Sequence, residues 1–428
     1  MTALTAPPIG RGSLGSADWS TRLAFLASVA VVLTFTEFWL MPLTGPNGDP
    51  EASGLIRTLY LPAYAIALVL VAWRPLETLR SAVRSPILWL LVGYTFVSML
   101  WSVDPETTQR RAIALLFTTI GAVVVAARWR WPALMEVFAS AFAVVVVCSY
   151  ALALALPSYG KMQELFPGAW RGVFQEKNTL GDHMTIGFMV FVSAAVLNPP
   201  RRWLWCGFAA LALGLVLFST SKTSLVTLVI GAGCLGIVWL ARRGPAMGVA
   251  TVFIAVSGLV ALALAIVFAP DAFFAVLGKD ATFTGRTVIW QSVLRLIQQR
   301  PWTGFGYGAI WTDESGWGPL AWIIKWSHFR PHHAHNSWLE TWLALGYGGL
   351  AIWLVYFLEI WGRTLWSVFT NKGAYFALPF LAVYTLTTLT ESVAFIYNDL
   401  DWVILAATGI RLAAPRDGDE AATLVGAP

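Results

Sequence analysis

The stretch Arg330–Leu350, RPHHAHNSWLETWLALGYGGL, decides the fold class. His332, His333, His335 and Asn336 stand directly before an apolar run that continues to about residue 358. A run of roughly 20 residues, rising about 1.5 Å per residue, is long enough to cross the hydrocarbon of a bilayer. In that medium every backbone polar group must be closed within the segment, so the run is a helix. The polar cluster at its mouth then lies at the water boundary.

The rest of the chain repeats the apolar half of this pattern. Of 428 residues, 57% are hydrophobic and 12% charged, and the mean hydropathy is +0.67. A soluble domain is excluded, and continuous apolar runs without alternation exclude a β-barrel. The class is all-α: a polytopic helical membrane protein with about twelve spans, at 23–43, 55–73, 86–102, 112–127, 133–156, 183–198, 203–219, 223–240, 246–269, 337–358, 376–395 and 402–413. About twenty polar residues precede the first run and further spans follow it, so it reads as a retained helix and not as a cleaved signal peptide. Trp73, Trp89, Trp101, Trp129, Trp131, Trp203, Trp239, Trp361 and Trp402 stand at the edges of apolar runs, where indole rings favour the membrane boundary. Cys148, Cys206 and Cys234 fall inside apolar runs and read as small core residues without a disulfide framework.

Orientation follows the basic residues of the short loops. With the N-terminus in the cytoplasm, the inner loops carry Arg74, Arg80 and Arg84; Arg128 and Arg130; Arg201 and Arg202; Arg242 and Arg243; and Arg363 and Lys372. The expected organisation is a cytoplasmic tail 1–22, a single transmembrane domain 23–413, and a cytoplasmic tail 414–428 that carries Arg416. Two long segments fall on the outer side, 157–182 and 270–336. Within the second, TGRTVIWQSVLRLIQQRP (residues 284–301) predicts a helix with Ile289, Val293, Leu296 and Ile297 on one face, Thr284 as cap and Pro301 as stop. Gly304–Gly308, GFGYG, marks a turn or a close backbone approach.

Arg171, Lys177, Lys222 and Arg286 lie on the side that the charge bias should deplete. Arg286 stands in the first turn of a predicted helix, where the macrodipole disfavours a cation by a few tenths of a kcal/mol. A bound anion reverses that sign, so Thr284, Arg286 and Thr287 read as a phosphate seat; the alternative is an exposed Arg touching lipid phosphates. Arg171 and Lys177 read either as anion ligands or as a snorkelling pair, and Lys222 as an anion ligand or a loop cation. His335 can accept a proton from a hydroxyl, or can simply cap a helix at the interface. Asn336 and Glu340 share a helix face and can form a polar network at the mouth. Metal ligation by the HHAH run is disfavoured, because the adjacent His332 and His333 face apart and no nearby Cys or acidic cluster completes a site. Glu37, Glu136, Glu359 and Glu391 lie in or beside apolar runs without a nameable partner. Glu391, Asn398, Asp399 and Asp401 form an acidic strip that faces the basic cluster or binds acceptor hydroxyls.

RGVFQEKNTLG, STSKTS, TGRTVIW, GFGYGAIW and HAHNSWLETWLALGYGG resemble, in order and spacing, the O-antigen ligase and Wzy-type polymerase superfamily, especially its exopolysaccharide polymerase branch. His335, Asn336, Gly346 and Gly349 fit the family's His-Asn, nine residues, Gly, two residues, small-residue pattern. The resemblance runs from about residue 85 to 405, and the chain departs from it at Gln175, Glu176 and the HHAH run. It implies a GT-C-like, metal-independent membrane glycosyltransferase without cofactor, acting at the periplasmic face of the bacterial inner membrane. The implied donor is a glycan on undecaprenyl diphosphate, with a lipid-linked acceptor. Membrane lipid and chain-length and export proteins are the implied company, and nucleic acid is not. The implied roles are Arg171 and Arg286 as diphosphate binders, His335 as base or orienting residue, and Lys222 as a weaker transfer. A polymerase, a ligase that passes the glycan to lipid A-core or another acceptor, and a multi-span transporter are the competing readings. One-sided polar residues and the lack of repeat symmetry disfavour the transporter.

Overall fold

The computed structural model describes residues 18–45, 54–164, 166–251, 253–254, 257–258, 286–312 and 315–414. It is 78% helical, with no strands among the described residues, so the all-α polytopic class holds. Seven helices among the described residues are long and apolar enough to cross a membrane: Ile56–Trp73, Pro105–Arg128, Trp131–Ala155, Lys177–Leu197, Pro199–Ser219, Lys222–Ala241 and Ser337–Thr370. An eighth counts if the pair Pro75–Val83 and Pro86–Trp101, bent by 88°, is one span. Trp19–Phe35, Ala374–Thr390 and Leu400–Ala413 are shorter apolar helices. Each expected span has helical residues here; of 246–269 the described residues 246–251, 253–254 and 257–258 are helical, and the rest lie outside the described residues.

Local signals explain the boundaries. Pro occupies the first turn at Pro86 and Pro105, where its missing N–H costs nothing. The Asp104 side chain accepts from the Thr107 N–H, and Ser221 accepts from the Ser224 N–H. Two short helices escape the periodicity. Pro75–Val83 turns away from the next span, and Pro319–Ser327 lies in the long loop.

Hydrogen bonds sort the bundle into two ends. At one, Arg242 donates to the carbonyls of Val368 (3.2 Å) and Asn371 (3.0 Å). Arg363 reaches the Arg84 carbonyl at 3.2 Å, Arg201 pairs with Glu136 at 3.0 Å, and Arg128 sits 4.9 Å over Trp73. This is the basic end. At the other, Val103 N–H donates to the Phe305 carbonyl at 3.0 Å, Trp170 N–H to that of Phe218 at 3.0 Å, and Tyr307 hydroxyl to that of Phe395 at 2.7 Å. This is the loop end. Arg171, Lys177, Lys222, Arg286 and His335 all stand there.

The boundary reading of tryptophan needs a correction at Trp129, Trp131 and Trp402, which are buried within the apolar core. Trp402 donates its indole N–H to Thr119 and Trp129 to Ser28, so these two polar tips have partners without water. Trp203 is 83% exposed, as a boundary residue should be. The three cysteines are free, and Cys206 is exposed on its helix and not in the core.

The Ser337–Thr370 helix is broken at Gly346 (φ 66°, ψ −166°), a conformation open essentially to glycine alone. The GFGYG segment fills the break. Phe305 and Gly306 N–H groups take the carbonyls of Leu343 (3.0 Å) and Ala344 (2.9 Å), and Tyr347 N–H reaches Pro301 at 2.9 Å. The expected close approach is therefore real, and its target is the helix of the opening stretch. A Cβ on Gly346 would lie 2.2 Å from the Trp302 carbonyl oxygen. Gly346→Ala combines that clash with a strained backbone of about 1–3 kcal/mol. The expected outcome is loss of most folded protein, read as a lowered midpoint in a thermal unfolding assay of detergent-extracted membranes. A wild-type midpoint would remove the loop's role as the seal of the break.

Candidate active site

Three chain segments meet at the loop end. The helix Arg286–Gln299 begins at Arg286 and buries Ile289, Val293, Leu296 and Ile297, the face expected from spacing. The helix Ser337–Thr370 is capped by Asn336, whose side-chain oxygen accepts the N–H groups of Trp338 and Leu339, both at 3.0 Å. The helix Ala374–Thr390 stops one residue before Glu391. Ser337 staples the last two segments: its hydroxyl donates to the Glu391 carbonyl at 2.8 Å and accepts the N–H groups of Val393 (2.9 Å) and Ala394 (3.2 Å).

This arrangement puts one carboxylate between a cation and an imidazole. Arg286 Nη2 donates to Glu391 Oε1 at 2.7 Å, and Arg286 Nη1 to the Thr390 carbonyl at 2.7 Å. His335 Nδ1 lies 2.8 Å from Glu391 Oε2. Burial pushes the Glu391 carboxyl up, but the His335 hydrogen bond and the Arg286 charge outweigh it and hold it below the usual range. An ionised Glu391 accepts, so Nδ1 of His335 carries the proton and Nε2 is left to act. The side chains of Arg286, His335 and Glu391 keep 21%, 30% and 30% exposure, so a substrate can reach them.

His335 holds a left-handed backbone (φ 51°) that disfavours a side chain. His333 braces it: its Nδ1 accepts the His335 N–H at 3.2 Å, and the two rings lie 3.9 Å apart. Burial first, with the neighbouring His335 adding, lowers the His333 pKa to about 4, so this imidazole stays a neutral acceptor. Glu340 takes the Ala334 N–H at 2.9 Å, the Ser392 hydroxyl at 3.3 Å and the Trp311 indole N–H. The expected network at the helix mouth thus exists, and it ties both strands of chain that flank the triad. Asn336 and Glu340 are engaged with protein partners and brace the mouth of the helix.

The other candidates fall into a second group at the same end. Arg171 is buried, donating from Nε to the Tyr159 carbonyl (2.6 Å) and from Nη2 to that of Ser158 (3.2 Å). Burial lowers its pKa. Lys177 reaches the Thr220 hydroxyl at 3.3 Å and lies 3.9 Å over Phe166, while Lys222 opens the next helix two residues past Thr220. Thr287 lies in the first turn beside Arg286, and Thr284 lies outside the described residues.

Partners now exist for the carboxylates that had none. Glu37 takes the Tyr60 hydroxyl, Glu136 takes Arg201 and Glu359 takes Arg363. Of the acidic strip, Glu391 faces the cation. Asn398 takes hydroxyls of Tyr64 and Thr118, and Asp399 caps its helix through the Trp402 N–H at 3.0 Å. Sequence signalled Glu391 as a carboxylate at the end of an apolar run. Its partners lie 56 and 105 residues away. The acidic residue missing beside the histidines is also Glu391: His333, His335 and Glu391 offer ligand atoms within 4.8 Å of one another.

The multi-span bundle is similar to membrane glycan-processing proteins. Its particular similarity is to the O-antigen ligases: residues 207–354 match the O-antigen ligase family model. Lys222, Arg286, His335 and Asn336 fall within the match. The chain is 28% identical over 276 residues to the exopolysaccharide production protein ExoQ of Rhizobium meliloti strain 1021. That match covers 62% of this chain and 62% of ExoQ, less than two thirds of its length. It is 25% identical over 421 residues to the O-antigen ligase of Pseudomonas aeruginosa PAO1, covering 90% of this chain and 93% of that protein. The resemblance read from the motifs agrees with these similarities, which support a polysaccharide polymerase or ligase function.

Proposed function

We propose that the chain is a polymerase. It transfers a growing glycan from undecaprenyl diphosphate to a hydroxyl on the non-reducing sugar of another lipid-linked repeat. The observation that carries the reading is the Glu391 bridge between Arg286 and His335. His335 Nε2 takes the acceptor hydroxyl proton, while Nδ1–H donates to Glu391 and is held in one tautomer. The new bond joins the acceptor oxygen to the anomeric carbon. The bond to the phosphate oxygen breaks, and its electron pair leaves with the diphosphate. Arg286 and Arg171, helped by Lys177 and Lys222, stabilise that charge where other transferases use a metal.

Sidedness follows from the two ends. The basic end faces the cytoplasm together with tails 1–22 and 414–428, and the loop end faces the periplasm of the inner membrane. A carrier lipid then lies beside the bundle while its sugars reach the triad from water. Chain-length and export proteins are the partners this reading calls for.

The ligase reading uses the same donor chemistry, and the long match to the Pseudomonas protein favours keeping it. The accumulated intermediate separates the two. A strain lacking this protein is expected to accumulate single lipid-linked repeats, seen by mass spectrometry of extracted carrier lipid. Long polymer still on the carrier would mean that polymerisation happens elsewhere, and the ligase reading would replace this one.

A further inference from the structure

We propose that His333, His335 and Glu391 form a binding site for a borderline divalent transition-metal cation of the zinc type, and that its occupancy blocks glycan transfer. The inhibitory half rests on the proposed role of His335 and Glu391; the binding half does not.

The donor set fits that class. Two imidazoles and one carboxylate are ligands suited to zinc, and a half-buried cluster leaves room for a water or substrate oxygen in a fourth position. One atom from each residue lies within 4.8 Å of the others. The backbone arrangement predisposes the cluster. The left-handed turn at His335 brings its ring to 3.9 Å from that of His333, although the two are only two residues apart. Glu391 is fixed opposite them by the Ser337 staple. Hard cations such as magnesium prefer oxygen-rich octahedral shells and gain little here.

Occupancy conflicts with transfer for a geometric reason. The His335 Nδ1 proton lies on the line to Glu391 Oε2, 2.8 Å long. A cation shared by these two residues takes the place of that proton. The carboxylate then no longer orients the imidazole, and the charge beside Arg286 rises. His333 is the residue through which the two functions separate, since it belongs to the cluster but stays behind the proton path.

The experiment uses chelator-washed, full-length protein in detergent or nanodiscs, with zinc as the probe. Calorimetry reads binding, and turnover of lipid-linked repeats reads inhibition, each variant normalised to its own metal-free rate. His333→Asn keeps an acceptor for the His335 N–H and removes an imidazole ligand. The expected result is one saturable zinc site, inhibition that tracks its filling, and weakening of both by about tenfold or more in His333→Asn. His332→Asn, at an exposed residue outside the cluster, keeps the wild-type response, and magnesium has no effect. Absence of a saturable site, or affinity unchanged in His333→Asn, overturns the proposal. Zinc that binds through His333 without slowing transfer leaves the metal site standing, overturns its inhibitory role and counts against His335 as the proton acceptor.

Discussion

Glu391→Ala is expected to lower turnover on the order of 10³-fold, as far as His335→Ala does, because a positioned general base contributes about 10²–10⁴-fold and this one is positioned by Glu391. The carboxylate has two tasks at once. It fixes the proton on Nδ1 of His335 across 2.8 Å, and it neutralises Arg286 across 2.7 Å. Alanine leaves the imidazole free to rotate and to place its proton on either nitrogen. Glu391→Gln keeps the shape, loses the charge, and offers an amide that donates where an acceptor is required; it should fall nearly as far. Glu391→Asp keeps the charge on a shorter arm and should recover part of the rate. The stricter measurement is the double variant. Residues that act as one unit lose their effect together, so His335→Ala with Glu391→Ala should be no slower than either alone. Rates must be normalised to protein amount in the membrane, since Glu391 also accepts the Ser337 hydroxyl through its backbone. Near-normal turnover in a well-inserted Glu391→Ala protein would remove the triad from the mechanism.

The fold of this site was partly legible in the sequence for a physical reason. Apolar length and capping residues are local properties, and they delimit the helices to within a few residues. The Arg286 helix, with its buried Ile289 and Val293, and the GFGYG close approach belong to the same kind of information. Glu391 does not. Nothing local tells a carboxylate which cation it will meet after 105 residues of chain. The break at Gly346 was likewise hidden, because its cause is a loop that comes from residues 301–306. The helix Pro319–Ser327 was missed because its short apolar stripe of Leu320 and Ile323 is interrupted by tryptophans and carries no span-length signal. The buried Trp129 and Trp402 show the limit of the boundary rule: an indole whose N–H finds a protein partner is as well placed in a core as at an interface.

Arg286→Lys and Arg286→Ala should both reduce turnover by about 10²-fold or more, the cost of removing one preorganised contact to developing charge. The loss should appear in kcat more than in KM, since the contact strengthens as the phosphate leaves. Lysine keeps the charge but lacks the planar fork that here spans the Thr390 carbonyl and Glu391 together, so it cannot hold the same position. The substitution by itself has two explanations. Arg286 can act on the diphosphate, or it can serve only as the counter-ion that keeps Glu391 ionised for His335. The pair Arg286→Ala with Glu391→Gln separates them. If Arg286 were only a counter-ion, the pair would be no slower than Glu391→Gln alone, because its one task is already lost with the carboxylate. If Arg286 receives the leaving group, the pair is slower than Glu391→Gln alone. The second outcome is the expected one: the guanidinium uses one nitrogen on Glu391 and one on Thr390, and a guanidinium has five N–H donors. A donor left over after both contacts is what a departing phosphate oxygen needs, and a counter-ion alone would have no use for it.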